Sequence, residues 1–424
     1  MTPPDAQSPF PRSSPFPAAN PAPGRSSFPA ASPFPGVRTA PPLVPEPPPA
    51  PPLVPEPHPD MAVVPSVEPA LGPASLEEIV RIAHEKSYSD VHLGVGEEPR
   101  FRARGEMQRT GWSPTDAATF SRWLREILSP ADVDSFQRDK EYDGSHAFSF
   151  VRVRINLLDS LRGPAMVLRL IPQTIASLEE LRLPAVLQEL AARPKGLILV
   201  TGPTGSGKST TLAAMIDWIN RNMARHILTI EDPVEFVHQS RRSLVRHREV
   251  GLHTKVFHNA LRAALREDPD VILIGEIRDQ ETLSTALEAS QTGHLVFGTL
   301  HTNSAVKTIE RILGLYPAAE QEAICRSVSE SLLGVVAQGL LKTSDGKRCA
   351  FHDILINTDA CKDYILRGEL EAIEEIMARS GFDGMQTANQ ALQKLVEEGR
   401  CSADDALAQS LKPNELAQAL RGRS

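Results

Sequence analysis

The residue types best suited to chemistry are concentrated in one loop, Gly202–Ser209, which reads Gly-Pro-Thr-Gly-Ser-Gly-Lys-Ser. Its glycines let backbone N–H groups turn inward and approach phosphate oxygens, because a Cβ would block either the turn or the ligand. Lys208 supplies a positive charge for the β- and γ-phosphates, and the Ser209 hydroxyl is a ligand for Mg²⁺. The loop therefore predicts a site for a nucleoside triphosphate with Mg²⁺. The predicted nucleotide-binding residues are Gly202, Pro203, Thr204, Gly205, Ser206, Gly207, Lys208, Ser209 and Thr210.

Four short apolar runs predict the strands that would position this loop. The first run leads straight into the loop, and Thr210–Ile216 continues from the loop as a helix. Each run is followed by a helical or loop segment, so the sequence predicts an α/β fold with a doubly wound, mainly parallel sheet. Ligands of such sheets bind at the carboxyl ends of the strands, where the candidate catalytic residues also lie. The predicted strands are Gly196–Thr201, Ile227–Glu231, Val271–Gly275 and Leu295–Thr299.

Carboxylates follow the second and third of these strands. Glu276 comes directly after Gly275, which occupies the strand end where nucleoside triphosphatases usually carry a magnesium-binding aspartate. We therefore predict that Glu276 orients or deprotonates the attacking water. Glu231 and Glu235 are predicted to complete the Mg²⁺ shell together with Ser209. The alternative for each carboxylate is an ordinary surface charge.

Two histidines bracket the fourth strand. His301 leaves the strand on its carboxyl side, so we predict that it senses the γ-phosphate. His294 enters from the other side, where a relaying or bracing role is expected. The alternative for both is a structural histidine whose ring bonds to backbone carbonyls.

The chain before residue 74 has a composition unlike the rest. About two-thirds of the 37 prolines lie there, with three Ser-Pro-Phe-Pro copies and a repeated Pro-Pro-Leu-Val-Pro-Glu-Pro. Proline fixes φ and removes a hydrogen-bond donor, so this segment predicts a disordered tail with polyproline-II character. The tail is either a flexible spacer or a docking arm for an unknown partner, with Phe10, Phe16, Phe28 and Phe34 as anchors.

Changes in pattern divide the 424 residues into five predicted segments. Short strands and two helices follow the tail, with strands expected at Arg100–Arg104 and Ala147–Leu157 and a helix around Ala117–Leu128. Beyond Pro317 the pattern is mostly helical. The segments are a disordered tail at 1–73, a small α+β domain at 74–172, a linker at 173–195, the phosphate-binding core at 196–345 and a mainly helical region at 346–424.

Overall composition narrows the classes of partner. The formal net charge of −8 argues against a surface built generally to bind nucleic acid. Four widely separated cysteines show no paired spacing, so neither a zinc site nor a disulfide framework is expected. No signal-peptide pattern and no long apolar run is found, which predicts a cytoplasmic protein.

Four segments taken together resemble a known family. Gly202–Thr210, Ile227–His238, Val271–Asp279 and Thr292–Ala305 are similar to the Walker A, Asp box, Walker B and His box of the secretion-type ATPases. The similarity is greatest to the PilT and PilU branch, which powers type IV pilus retraction. It extends over about residues 75 to 400.

The resemblance implies a hexameric ring that hydrolyses ATP with Mg²⁺ at the base of a pilus. It implies a RecA-like core and a smaller PAS-like domain at 74–172, from which arginines reach bound nucleotide. Arg152, Arg154 and Arg169 match those positions, and such arginines can act on a neighbouring subunit. The implied partners are an inner-membrane platform protein and, as a further option, a paralogous pilus ATPase. Cross-strand surface charge is the alternative for the arginines.

The sequence is also compatible with several other functions. Pilus-assembly and type II secretion ATPases typically carry a four-cysteine zinc element that this sequence lacks, which favours a retraction motor. Ala360–Arg367 departs from the corresponding PilT pattern, with Lys362 where the pattern has arginine. Ile373–Met377 and Gly384–Thr387 are similar to PilU-type proteins, so an accessory motor is an alternative. A nucleotide-binding scaffold acting through the tail and a nucleic-acid motor are the rivals outside this group.

Overall fold

A computed structural model describes residues 72–73, 75–103, 105–171 and 174–422. The proline-rich tail predicted at 1–73 lies outside the described residues, except for residues 72 and 73. Within the described residues, no helix combines the length and the apolar character needed to cross a lipid bilayer.

The N-terminal domain contains an antiparallel sheet with strand order β3-β2-β1-β6-β5-β4. Strand β5 alternates, with Val153, Ile155 and Leu157 buried in the core of the domain and Arg152 and Arg154 on the opposite face. The expected single strand 147–157 is instead the end of β4, a turn and β5, because the alternation of apolar residues continues across the turn. The elements of this domain are α1 (Leu76–Glu85), β1 (Asp90–Gly94), β2 (Arg100–Ala103), β3 (Glu106–Arg109), α2 (Ala117–Ile127), α3 (Pro130–Asp139), β4 (Glu141–Ala147), β5 (Arg152–Ser160) and β6 (Gly163–Ile171).

The core domain contains a seven-stranded sheet with order β13-β12-β7-β11-β10-β8-β9. Neighbouring strands are parallel except for β13, which pairs antiparallel with β12. The four strands expected from the sequence are all present. The elements are α4 (Val186–Ala191), β7 (Gly196–Thr201), α5 (Lys208–Asn222), β8 (His226–Glu231), β9 (Leu244–Glu249), α6 (Phe257–Ala264), β10 (Val271–Ile274), α7 (Gln280–Gln291), β11 (Leu295–Leu300), α8 (Ala305–Leu313), α9 (Gln321–Ser331), β12 (Leu332–Lys342) and β13 (Arg348–Ile356).

Both faces of this sheet are buried under helices. Leu197 and Leu199 of β7 belong to an apolar cluster on one face, whereas Ile198 and Val200 belong to the cluster on the other. Strands covered on both faces read as continuous apolar runs, which is why the sequence located them well. The result is an α/β layer structure with the sheet buried at its centre.

The C-terminal region differs from the expectation of mostly helical structure after Pro317. Two long strands, β12 and β13, lie there and extend the core sheet, so the predicted boundary between residues 345 and 346 falls within a β-hairpin. Gly334 and Gly339 interrupt the apolar pattern of β12, which weakened its strand signal. The helices that follow are α10 (Asp359–Arg367), α11 (Glu371–Arg379), α12 (Ala388–Glu397), α13 (Ala403–Gln409) and α14 (Pro413–Arg421).

Candidate functional site

A cleft of about 1070 Å³ opens at the carboxyl ends of the core strands. The phosphate-binding loop lines it from β7, Glu276 from the end of β10, and His301 from the end of β11. Parallel pairing of β7, β11 and β10 brings these ends to one edge of the sheet. The cleft thus brings together most of the residues that were predicted to bind and hydrolyse a nucleotide.

All three glycines of the loop adopt backbone conformations that residues with side chains rarely adopt. Gly202 has φ of 141°, and a Cβ there would lie 2.3 Å from the Gln338 carbonyl oxygen. Gly207 has φ of 87° and forms the N-cap of α5, directly before Lys208. The loop therefore leads directly into the N-terminus of α5, where free backbone N–H groups and the helix dipole favour binding of an anion.

Lys208 lies at the first position of α5 and turns its side chain toward the loop. Its Nζ donates to the carbonyl oxygens of Gly202 at 2.7 Å and Pro203 at 3.2 Å. Burial lowers the pKa of the Lys208 ammonium, while the carboxylates of Glu235 and Glu276 oppose that shift. The cation is thus held above the phosphate cradle and within reach of both acidic residues.

Two side chains contact the Glu276 carboxylate, which lies just after the end of β10. Its Oε1 lies 3.1 Å from His301 Nε2, and its Oε2 accepts a hydrogen bond of 2.7 Å from Arg278 Nη2. The hydrogen bond from Arg278, reinforced by the charges of Arg278 and His301, keeps the pKa of Glu276 below its usual value. An ionised carboxylate held in this way can accept a hydrogen bond from a water molecule in the cleft.

Because Gly275 has no side chain, the neighbouring Glu231 on β8 can pack closely against it. A Cβ at Gly275 would lie 3.1 Å from the Cα of Glu231, so an aspartate side chain would crowd the adjacent strand. Glu231 is buried, and its Oε2 accepts a hydrogen bond of 3.2 Å from the backbone N–H of Glu235. The glycine that replaces the expected aspartate therefore makes room for a carboxylate from β8.

The oxygen ligands in the cleft suit Mg²⁺. Ser209, Glu231, Glu235 and Glu276 line one cavity of about 270 Å³ beside the loop, and no sulfur or imidazole is needed to complete the set. The described residues contain no cluster of three or more His, Cys, Asp or Glu side chains able to hold a metal by themselves. Mg²⁺ usually keeps several waters and takes one or two protein carboxylates together with phosphate oxygens, so this oxygen-lined cavity fits the ion.

The three candidate arginines separate into two groups. Arg154 and Arg169 line the same cleft as the phosphate loop, and they come from the N-terminal domain of the same chain. Arg169 Nε donates to Asp90 Oδ1 at 2.8 Å, and Arg154 Nη2 lies 3.5 Å from Asp143 Oδ1. Arg152 does not line the cleft; its guanidinium pairs with the buried Glu249 at 2.8 Å.

His294 is not brought to the cleft. It precedes β11 at the amino edge of the sheet, roughly 20 Å from His301 at about 3.3 Å per strand residue. Its Nδ1 lies 2.9 Å from the carbonyl oxygen of Ala289, at the end of α7. Of the two roles considered for this residue, the contacts fit bracing of the α7–β11 connection.

Sequence reasoning missed a buried polar network behind the loop. Gln338 on β12 donates from Nε2 to the Ser206 carbonyl at 2.7 Å, and its Oε1 accepts from Thr211 Oγ1 at 2.7 Å. His352 on β13 lies 3.2 Å from the same Oε1, and burial lowers its pKa to about 4. A polar residue in an otherwise apolar run, Gly-Val-Val-Ala-Gln-Gly, was the available signal.

Comparison with known proteins identifies relatives that span most of this chain. The family model described as "Type II/IV secretion system protein" matches residues 70–415. A "Twitching motility protein" of Neisseria gonorrhoeae is 48% identical over 310 residues, covering 73% of this chain and 83% of that protein. The "Type IV pilus retractation ATPase PilT" of Pseudomonas aeruginosa is 42% identical over 332 residues, covering 78% and 96%.

A solved structure shows the same architecture. "Crystal Structure of the Pilus Retraction Motor PilT and Bound ADP" is 41% identical, with a TM-score of 0.76 over 81% of this chain and 99% of that chain. The resemblance read from the four motif segments is confirmed by the family match and by these relatives. The chain belongs to the type II/IV secretion system protein family.

Proposed function

We propose that this protein is an ATP-hydrolysing motor that drives type IV pilus retraction, as the main or an accessory motor. The observation that carries the proposal is the single cleft lined by Lys208, Ser209, Glu276 and His301, at the carboxyl edge of the sheet. Relatives of this chain that span most of its length are named for retraction and twitching motility.

The residues of the cleft divide the work of hydrolysis. Backbone N–H groups of Gly202–Thr210 and the Lys208 ammonium bind the phosphates, and Ser209 and Glu235 would hold Mg²⁺ through their side-chain oxygens. Bound Mg²⁺ supplies neutralisation of the charge on the phosphates. Glu231 holds the loop that carries Glu235 through its hydrogen bond to the Glu235 amide.

Glu276 orients the attacking water in line with the γ-phosphate. A carboxylate whose pKa is lowered is a weak base, so its main contribution is a directed hydrogen bond rather than early removal of the proton. His301 contacts one oxygen of Glu276. Since His301 is the proposed sensor of the γ-phosphate, this contact links the presence of the γ-phosphate to the conformation of Glu276. Arg154 and Arg169 then stabilise the charge that develops on the transferred phosphoryl group.

Motor action requires that nucleotide state be converted into domain movement. In the proposed assembly six chains form a ring, and the N-terminal domain, PAS-like in the proposed classification, moves against the RecA-like core as nucleotide binds and leaves. The ring acts in the cytoplasm at the pilus base, against a membrane platform protein. A paralogous pilus ATPase is a further partner, and the proline-rich tail is either a flexible spacer or a docking arm for an unidentified one.

Deletion of the gene tests the direction of the motor. Cells that lose twitching motility and accumulate surface pili support retraction, whereas cells without pili indicate an assembly ATPase. Complementation with the wild-type gene restores motility, and complementation with Lys208→Ala does not. If motility falls only partly and pili remain normal in number, the accessory role is supported. Unchanged motility and piliation would contradict the proposal.

A further inference from the structure

A buried carboxylate lies between the N-terminal domain and the catalytic edge of the core. Glu249 is the last residue of β9, only 1% exposed, and its register partner on β8 is Glu231. Neither residue type nor position predicted a role for it. A carboxylate this deeply buried is stable only when hydrogen-bond donors or cations satisfy its oxygens.

Glu249 receives those donors from both domains. Oε1 accepts from the Ser145 hydroxyl at 2.6 Å, and Oε2 accepts from Arg152 Nη2 at 2.8 Å. Ser145 and Arg152 lie on β4 and β5 of the N-terminal domain, and Arg152 Nη2 also donates to Ser145 Oγ at 2.6 Å. The third donor is the Val234 amide of the core, at 3.1 Å from Oε2.

Val234 lies in the loop that carries a candidate magnesium ligand. The Val234 amide donates to Glu249, and the next amide, that of Glu235, donates to Glu231 at 3.2 Å. Two carboxylates that face each other across β8 and β9 therefore fix two successive amides. Both bonds hold the stretch of backbone that carries the Glu235 side chain, which lines the cleft.

Arg152 connects the same carboxylate to the arginines of the cleft. Residues 152 and 154 lie on one face of β5, since side chains in a strand alternate. Arg152 is anchored on Glu249, and Arg154, two residues along the same face of the strand, lines the cleft of the phosphate loop. One buried carboxylate contacts both the loop of Glu235 and the strand of Arg154.

We propose that Glu249 is a positioning residue that couples docking of the N-terminal domain to the placement of Glu235 and Arg154 in the cleft. The proposal rests on the proposed ATPase function for its catalytic consequence. Its structural core, a link from Arg152 to the Val234 amide through Glu249, does not. Movement of the N-terminal domain away from the core breaks the Arg152 and Ser145 contacts and leaves the buried carboxylate undersatisfied, which loosens the loop.

The test uses the full chain and substitutions on both sides of the link. Arg152→Gln removes the cation from the N-terminal domain, and Glu249→Gln removes the charge while keeping the shape. Glu267→Gln is the matched control, because it breaks the neighbouring Arg248–Glu267 pair of 2.8 Å on β9 without contacting either the 232–238 loop or the N-terminal domain. Arg152→Lys keeps the positive charge and is expected to disturb the link less than Arg152→Gln does.

Amide hydrogen exchange at Val234 and Glu235 is the first readout. Arg152→Gln and Glu249→Gln are expected to speed exchange there by about tenfold, although Arg152 lies in the other domain. Glu267→Gln leaves exchange at these two amides as in the wild type. Unchanged exchange in Arg152→Gln would overturn the proposal, and this result is independent of any catalytic activity. Should Glu249→Gln fail to fold, Arg152→Gln alone decides.

Steady-state ATPase kinetics provide the second readout. Both substitutions are expected to lower kcat by about tenfold with KM for ATP changed by less than about twofold, since placement of catalytic groups is affected more than binding. Faster exchange with an unchanged kcat would overturn the positioning role and leave a purely structural contact. A wild-type protein without ATPase activity would instead refute the proposed function, while the exchange result would still test the link.

Discussion

The two edges of the core sheet use similar residues in different ways. His301 at the carboxyl end of β11 lies 3.1 Å from the Glu276 carboxylate, in the cleft. His294 at the amino end of the same strand bonds to the Ala289 carbonyl and closes a connection between two elements. Residue type alone therefore does not indicate a catalytic role. The end of the strand decides it, because loops at the carboxyl edge converge on the ligand and those at the amino edge do not.

The largest effect should come from removing the cation at the catalytic edge. Lys208→Ala is expected to lower the ATPase rate by at least about a thousandfold, because it removes the cation that binds the β- and γ-phosphates. Lys195, exposed just before β7 at the amino edge, provides the control. Lys195→Ala should leave the steady-state rate unchanged, and an equal loss in both variants would contradict the comparison of edges.

The arginines of the N-terminal domain should give the next largest effect. Arg154→Gln and Arg169→Gln are each expected to lower kcat by about a hundredfold, because they line the cleft opposite the phosphate loop. Arg138→Gln, an exposed substitution in the same domain, is the control.

Mixing variants shows which subunit supplies each arginine. Both arginines line the cleft of their own chain, so a mixture of Arg154→Gln and Lys208→Ala proteins should regain no ATPase activity. Recovery in mixed rings would show that Arg154 acts on a neighbouring subunit, as the family resemblance implied.

The two histidines of β11 test the comparison within one strand. His301→Gln is expected to lower kcat by about tenfold, because the Glu276 carboxylate loses one of its two side-chain contacts. His294→Gln should change kcat by less than about twofold and lower Tm by a few degrees, because it loses the bond to Ala289. Kinetics and thermal unfolding are measured on both proteins. A larger catalytic loss in His294→Gln would reverse the assignment of the edges.

The smallest effect concerns the network behind the phosphate loop. Burial lowers the pKa of His352 to about 4 from 6.5, so the unfolded chain binds a proton between these values that the folded chain does not. Above pH 6.5 this group does not change the free energy of unfolding. As the pH drops from 6.5 toward 4, it lowers the free energy of unfolding by roughly 3 kcal/mol. His352→Gln should flatten the fall in Tm over this range, whereas His84→Gln, on an exposed helix position, should not. An unchanged fall in His352→Gln would contradict the buried, neutral histidine.

The sequence predicted the catalytic edge well because its signals are local. The strand, the glycine loop and the helix that form the phosphate site are contiguous, and parallel strands buried on both faces have an unmistakable apolar pattern. Glu276 and His301 follow such strands directly. Their meeting at one edge then follows from the parallel pairing of β10 and β11.

The missed contacts depend on distant parts of the chain. Gln338 braces a loop 132 residues earlier, and Glu249 binds an arginine 97 residues away, in another domain. No periodicity encodes which strand becomes the neighbour of the loop. Strand β12 is also interrupted by glycines, which hid its position beside β7; Gln338 within its apolar run was the one local sign of the network on it.

The ATPase rate of Glu276→Gln, measured together with nucleotide affinity, tests most directly whether the carboxyl edge performs the hydrolysis. Glutamine keeps the size of the side chain but removes the charge that orients water. We expect kcat to fall by at least about a hundredfold while the Kd for ATP changes by less than about threefold. A kcat within about twofold of the wild type would contradict the role of Glu276 and of the cleft built around it.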